Sequence, residues 1–281
     1  MTQREAGTQH LCICADDFGM SRGINDAVLD LIERRKLTAT GCLVQRHAWG
    51  AGSLALRHVD PERADVGLHL DLTPPAMPYG DEPGLGSLLL RTFTRTASRH
   101  RLQHAIADQL SRFEDGMGRA PAFVDGHRHV HQLPVVRHAL MDELVSRYGA
   151  CPPWVRNTRP RAAQGADAFK AHLIHALGGR ALARQAASTS TPMSSALLGV
   201  YDFAGGQAGY RRRLLAWLAA ARSGDVLMCH PAVGDATATP HGEARVAEYT
   251  VLAATQFPWT SPAGGTVALA PLSRQATGVH A

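Results

Sequence analysis

The adjacent carboxylates of Asp16 and Asp17, in Ala15-Asp16-Asp17-Phe18-Gly19, are the groups best placed to do chemistry in this chain. They follow the short apolar run Leu11-Cys12-Ile13-Cys14, which has the length and composition of a buried parallel strand, and they precede a segment of helical periodicity. Two like charges at a strand end repel unless a cation or a shared proton relieves them. Groups able to bind a metal or move a proton recur on later strand-like stretches: His69 and Asp71, then Asp125, His127, His129 and His131, and finally His230. One carboxylate with two imidazoles leaves coordination positions open, as a catalytic divalent ion requires. A second Asp to take a proton from water, and a histidine to protonate a leaving amine, would complete a site for metal-assisted hydrolysis of an amide or ester.

Such a site needs a scaffold that brings successive strand ends to one edge. Ser21 can cap a helix in which Ile24, Ala27, Val28, Leu31 and Ile32 share a face, and Arg34-Arg35-Lys36 suits its carboxyl end. Residues 38–44 read as the next strand, and strand, helix, strand predicts a right-handed crossover in a parallel sheet. In a third strand at 66–72, His69 and Asp71 point to one side while Leu68, Leu70 and Leu72 point to the other. The Pro-rich stretch 73–86 reads as a lid or binding loop, and a helical pattern covers 88–113. As a strand, the run from Ala122 places Asp125, His127, His129 and His131 on one side; as a helix it would pair His127 with His131. Gly126 and the β-branched residues favour the strand, ending near His129, with Pro134 opening a helix through Leu144.

Residues 154–156 form a weaker strand candidate. A helix over 169–177, a mobile polar loop at 188–192, a helix over 210–221, a buried strand at 225–229 and a helix over 243–255 complete the pattern. The expectation is one α/β domain at 11–270 with tails at 1–10 and 271–281.

Composition narrows the partners. The net charge is +5 and the pI about 9.2, yet the basic residues are scattered, lysine occurs only at 36 and 170, and Arg211-Arg212-Arg213 reads as one solvated helical turn. No aromatic stacking pattern or basic stripe supports nucleic-acid binding. Five irregularly spaced cysteines argue against a disulfide framework. With no apolar signal core at the amino terminus and no long apolar run, the expectation is a reduced, cytoplasmic protein without membrane insertion.

Ala15-Asp16-Asp17-Phe18-Gly19, Gly67-Leu68-His69-Leu70, the run from Asp125 to Pro134 and Met228-Cys229-His230-Pro231 together resemble the YdjC group of carbohydrate deacetylases. Arg245 and Glu248 fit that family's closing helix. The resemblance implies a distorted (β/α) barrel that removes an acetyl group from an N-acetylated sugar or oligosaccharide, and relatives suggest a homodimer. It carries over Asp17, His69 and His127 as metal ligands, Asp16 as general base and His230 as general acid or transition-state stabiliser. His129 and His131, with Asp71, Asp125 and Arg156, would face substrate or support the ligands. The family's metal is given as magnesium, whereas two imidazoles suit zinc as well. Gly126 stands where relatives often have Ser, which implies only a lost hydroxyl. The 185–206 region aligns with no relative and is expected near the sugar-binding face. The rivals are a metal-dependent amidohydrolase or phosphoesterase on a similar barrel, for which no bridging Lys is evident, and a non-catalytic metal- or sugar-binding protein, which would need neither Asp16 nor His230.

Overall fold

Apolar runs too short for helices become the strands of one parallel sheet, and the amphipathic segments between them become its outer layer. The computed structural model describes residues 7–73, 84–161, 165–234 and 239–275. In chain order, β1 (Gln9–Phe18) leads into α1 (Arg22–Glu33), β2 (Ala39–Cys42), α2 (Trp49–Leu56) and β3 (Asp65–Leu70). Then come α3 (Leu85–Phe93), α4 (Arg99–Met117), β4 (Phe123–Gly126) and α5 (Val136–Tyr148). The second half contributes β5 (Trp154–Val155), α6 (Gly165–Ile174), α7 (Arg180–Ser188), β6 (Leu197–Leu198), α8 (Gly206–Ala220), β7 (Val226–Cys229) and α9 (Gly242–Ala254). Short β8 (Trp259–Thr260), β9 (Thr266–Leu269) and α10 (Leu272–Gln275) close the described chain.

The main path of the sheet runs β5-β4-β3-β2-β1-β7-β6, with each adjacent pair along it parallel. β1 is its spine: β2 and β7 flank its carboxyl half, while β9 pairs with Gln9 to Leu11. Parallel bridges Val155↔Met193 and Pro160↔Leu197 join the β5 end of the path to β6. The curled sheet with its surrounding helices is the distorted (β/α) barrel that the resemblance implied. Leu11, Cys12, Ile13, Cys14 and Ala15 are wholly buried, as the apolar run of a central strand requires. The expected cap of α1 is present, Ser21 Oγ accepting from Ile24 N, and Ile24, Ala27, Val28 and Leu31 form its buried face.

Several expected elements differ. The helical pattern at 88–113 is two helices, α3 and α4, broken at 94–98. Residues 74–83 of the Pro-rich loop lie outside the described residues. The strand expected through His129 stops at Gly126, because Arg128 and His129 are both left-handed, with φ of 53° and 59°. A turn of 3-10 helix, His127–Gln132, replaces the alternating pattern, so the four acidic and imidazole groups do not share one strand face. The helix after Pro134 starts at Val136 and runs on to Tyr148. The polar run at 188–192 is the folded-back terminus of α7: Thr189 is its C-cap, Thr191 N bonds Ala186 O, and Thr191 is buried. Among the described residues, no helix is long and apolar enough to cross a membrane.

Gly199, just past β6, has φ of +92°, and a Cβ there would come within 2.0 Å of the Met228 carbonyl oxygen on β7. Because backbone cannot yield as a flexible side chain does, Gly199→Ala is expected to destabilise the protein by about 2–4 kcal/mol. Chemical denaturation of the two proteins checks this, and equal midpoints would refute it.

Candidate active site

A regular strand would send Asp16 and Asp17 to opposite faces. Here the register of β1 against β2 shifts between Ala15 and Phe18, and Asp17 takes a left-handed φ of 70°. The bulge turns both carboxylates toward the same cavity. Each is buried, and each has its own arginine. Arg156 donates to Asp16 from Nη2 at 2.6 Å and from Nη1 at 2.7 Å, a bidentate fork. Arg245 donates from Nη2 to Asp17 Oδ2 at 2.5 Å. Burial alone would raise the Asp17 pKa, but His127, Arg245 and His230 outweigh it and hold the carboxyl well below the usual range.

His69 reaches the same point from β3. Its Nδ1 is 2.6 Å from Asp125 Oδ1, while Nε2 lies 3.6 Å from Asp17 Oδ1 and 3.9 Å from Asp16 Oδ2. With Asp125 accepting the Nδ1 proton, a neutral His69 presents the Nε2 lone pair to the two aspartates. Burial would lower its pKa, yet Asp125, Asp16 and Asp17 together push it up to about 9. Arg156 Nη2 also lies 2.6 Å from Asp125 Oδ2, so one buried guanidinium braces both Asp16 and the carboxylate behind His69.

His127 follows β4 directly, and the two left-handed residues after it fold the chain back. Its Nδ1 lies 2.9 Å from Asp17 Oδ1, and its ring meets that of His69 edge-on at 5.6 Å. Gly126 matters for this turn. A Cβ there would lie 2.8 Å from His131 N, so the glycine makes room for the chain reversal and is more than a lost hydroxyl. Asp17, His69 and His127 each offer one ligand atom within 4.8 Å of the others. One carboxylate oxygen and two imidazole nitrogens, with one imidazole oriented by Asp125, fit a divalent ion.

His230 follows β7, on the flank of β1 opposite His69 and His127. Its backbone N donates to Glu248 Oε2, and its Nδ1 is 3.8 Å from Glu248 Oε1. Glu248 is fully buried and also accepts from Tyr201 Oη at 2.6 Å. Asp16, Asp17, His69, His127, His129 and His230 all line one cavity of about 370 Å³. Met20, Leu85, Leu89, Leu133, Ile174 and Leu177 give it apolar walls.

Other expected site residues fall elsewhere. Asp71 is turned away from the cavity: β3 ends at Leu70, and the Asp71 carboxylate accepts from Thr73 N and Oγ1 and pairs with Arg46. The strand alternation that placed it beside His69 does not extend that far. His131 is wholly buried and packs its Nε2 3.0 Å from Arg156 O, which makes it a brace for the Arg156 backbone and not a substrate-facing group. Burial pushes its pKa down to about 4. His129 does line the cavity, and its buried Nδ1 has no hydrogen-bond partner among the described residues. Burial, with His131 and Arg156 nearby, holds its pKa well below the usual histidine range. Arg156 and Asp125 support the site from beneath. Sequence reasoning did not assign Arg245, Lys170, Tyr201, Phe203 or His241 to the cavity, yet all five line it. For Arg245 a signal existed: with Glu248 and Leu252 it falls at i, i+3, i+7 on the buried face of α9, where an unpaired charge is unfavourable.

The family whose sequence model matches this chain is described as YdjC-like protein, with residues 10–259 matched. A chitooligosaccharide deacetylase of Salmonella schwarzengrund (strain CVM19633) is 33% identical over 133 residues, 45% of this chain and 52% of that protein. The corresponding protein of Salmonella newport (strain SL254) is 32% identical over the same shares. The chain thus spans about half the length of the curated relatives it matches. Among solved structures, a protein of Enterococcus faecalis V583, whose description proposes cellobiose-phosphate cleavage, superposes with a TM-score of 0.61 at 18% identity, over 89% of this chain and 92% of that one. An uncharacterized protein of Agrobacterium tumefaciens C58 gives 0.53 at 14% identity, over 97% and 91%. At these identities the likeness is one of fold.

The geometry predicts how metal binding responds to substitution. His69→Ala and His127→Ala each abolish tight binding of a divalent ion, and Asp125→Asn weakens it about 10–100-fold. Wild-type metal content by elemental analysis in both alanine variants would remove them as ligands. Because His69 carries a proton up to about pH 9 in the ion-free protein, binding must displace it. Affinity therefore rises by up to about tenfold per pH unit through neutrality and levels off above that pKa. Calorimetry in buffers of different ionisation enthalpy reads the released proton.

Proposed function

Because the chain belongs to the YdjC-like family, we propose that it is a metal-dependent deacetylase of an N-acetylated carbohydrate. The observation that carries this reading is the placement of two unlike proton-handling groups about the Asp17, His69 and His127 cluster: Asp16 beside it on β1, and His230 beyond it at the end of β7. The names of the chitooligosaccharide deacetylase relatives support the substrate class.

Asp17, His69 and His127 would hold a divalent ion, which would supply Lewis acidity for a bound water and for the acyl oxygen. The two imidazoles favour a borderline ion such as Zn²⁺ over Mg²⁺, in contrast to the magnesium that the sequence resemblance implied. Asp16 accepts the proton of the attacking water. The Arg156 fork fixes both of its oxygens, so its orientation is set before substrate arrives. His230 then donates a proton to the departing sugar amine, and the buried Glu248 holds the His230 backbone in place. The apolar walls exclude water from this exchange.

Acetate release from N-acetylglucosamine oligomers and from other N-acetylated sugars, with protein reloaded with Mg²⁺, Zn²⁺ or Co²⁺, tests the activity. Failure of every combination, with metal bound, would overturn it. Asp16→Asn is expected to keep its metal and lose about 10²–10⁴ in rate. Turnover close to wild type in that variant would take Asp16 out of the base role.

A further inference from the structure

Glu248 is a wholly buried carboxylate on α9, and its surroundings differ from those of Asp16 and Asp17. Each aspartate is met by an arginine. Glu248 is met by two neutral donors, His230 N on Oε2 and Tyr201 Oη on Oε1, the latter at 2.6 Å. The side chain placed to offer it an opposite charge is that of His230, whose Nδ1 lies 3.8 Å from Oε1. That nitrogen is buried and has no hydrogen-bond partner among the described residues. Tyr201 is 4% exposed and packs against the rings of Tyr210 and Trp217 at 5.7 and 6.0 Å, which fixes its hydroxyl. Phe203 closes on the His230 ring at 5.1 Å. The two neutral contacts do not themselves require a charge. A glutamine could accept from His230 N and donate to Tyr201 Oη, since a hydroxyl serves as donor or acceptor. A buried carboxylate costs several kcal/mol more than a neutral group, and a protonated His230 is the partner that offsets it.

We propose that Glu248 is a positioning residue for the acid step, its carboxylate facing an Nδ1–H of His230 so that the proton given to the leaving amine is the one on Nε2. The inference rests on the deacetylase reading above. The His230 side chain lines the cavity and is 13% exposed, whereas Nδ1 is not accessible, so proton transfer to a substrate falls to Nε2. A lone pair on Nδ1 would be repelled by the carboxylate, and a proton there is attracted; the second ring nitrogen is then set by the first. The separation of 3.8 Å closes to a hydrogen bond with a small rotation of the ring, as contacts in an unliganded site commonly do. When the tetrahedral adduct collapses, the C–N bond breaks, its electron pair stays on nitrogen, and the Nε2 proton passes to that nitrogen. His230 is left neutral with its proton on Nδ1. Glu248 remains a carboxylate throughout, and Tyr201 holds it in place.

The test uses Glu248→Gln and Glu248→Asp in the metal-loaded full chain, with thermal melts to confirm folding. On an N-acetylated sugar, Glu248→Gln is expected to keep its metal and its KM and to lose on the order of 10² in kcat. Glu248→Asp keeps the charge and is expected to recover about tenfold of that loss. Para-nitrophenyl acetate isolates the acid step, because its leaving group departs without a proton. Its hydrolysis is expected to fall about tenfold less than that of the amide in Glu248→Gln. Equal losses on both substrates, or a loss confined to KM or metal content, would reduce Glu248 to scaffold and overturn the proposal, as would wild-type kcat in that variant. A second measurement on the wild type stands even if Glu248→Gln does not fold or no N-acetylated sugar is hydrolysed. In isotope-labelled protein loaded with Zn²⁺, the nitrogen shifts of neutral His230, assigned by their absence from His230→Asn, are expected to place its proton on Nδ1. A proton on Nε2 would refute the positioning role whatever the natural substrate.

Discussion

The structure turns on the burial of two neighbouring carboxylates at the end of one strand. Moving a carboxylate out of water costs several kcal/mol, and two side by side cost more, unless each is met by an opposite charge in good geometry. Asp16 and Asp17 are met by different arginines, 140 and 228 residues further along the chain. Arg156 arrives past β5, at one end of the sheet path, and Arg245 on α9, after β7. The charge cluster is therefore satisfied only when strands from both halves of the chain have assembled around β1. Closure of the barrel and construction of the site are one event in energetic terms.

The same interactions give the two aspartates different surroundings. Both oxygens of Asp16 are engaged by the Arg156 fork, and Arg156 also touches Asp125, which orients His69. A single buried guanidinium thus fixes the proposed base and, through one carboxylate, a proposed metal ligand. Asp17 is tied at Oδ2 by Arg245, which leaves Oδ1 toward His127 and His69. Adjacent carboxylates would repel and titrate as a pair if they shared one environment. Separate arginines give them different environments, which would let one hold an ion while the other takes a proton, as proposed.

How much of this was legible in the sequence depended on whether local pattern or distant pairing decided the outcome. The apolar runs before Asp16 and before His230 announced buried parallel strands, and Ser21 announced its helix, because burial and capping are local. Asp17, His69 and His127, grouped by motif resemblance, are brought together in space. The histidine run from His127 to His131 misled because period-2 alternation assumes extended backbone, and two consecutive left-handed residues end that assumption. Asp71 misled for the same reason, one residue past the end of its strand. Residues 160 to 200 are the least legible part of the sequence. Their polar composition hid α7 and the two-residue β6, whose stability comes from packing on the barrel and not from propensity. Arg245 and Glu248 fit the family's closing helix, but no local pattern places them in the site, because charged residues in a helix ordinarily face solvent.

The floor and wall of the cavity come from different kinds of element, and on the proposed reading this would separate chemistry from selection. The floor is built at the ends of β1, β3, β4 and β7, where hydrogen-bonded strands fix Asp16, Asp17, His69, His127 and His230 with little freedom. The wall comes from α3, α6 and the segment after β6, with Leu85, Leu89 and Ile174 on one part and Phe203 stacked on His241 at 4.2 Å on another. Apolar walls lower the local dielectric, so each charge on the floor acts more strongly than it would in water. Changing a wall side chain alters which substrate shape displaces water from the cavity, while the strand-borne groups keep their spacing. On the proposed reading, selection of a substrate would fall to stretches whose sequences are least regular, and the reaction to those whose sequences are most constrained by the sheet.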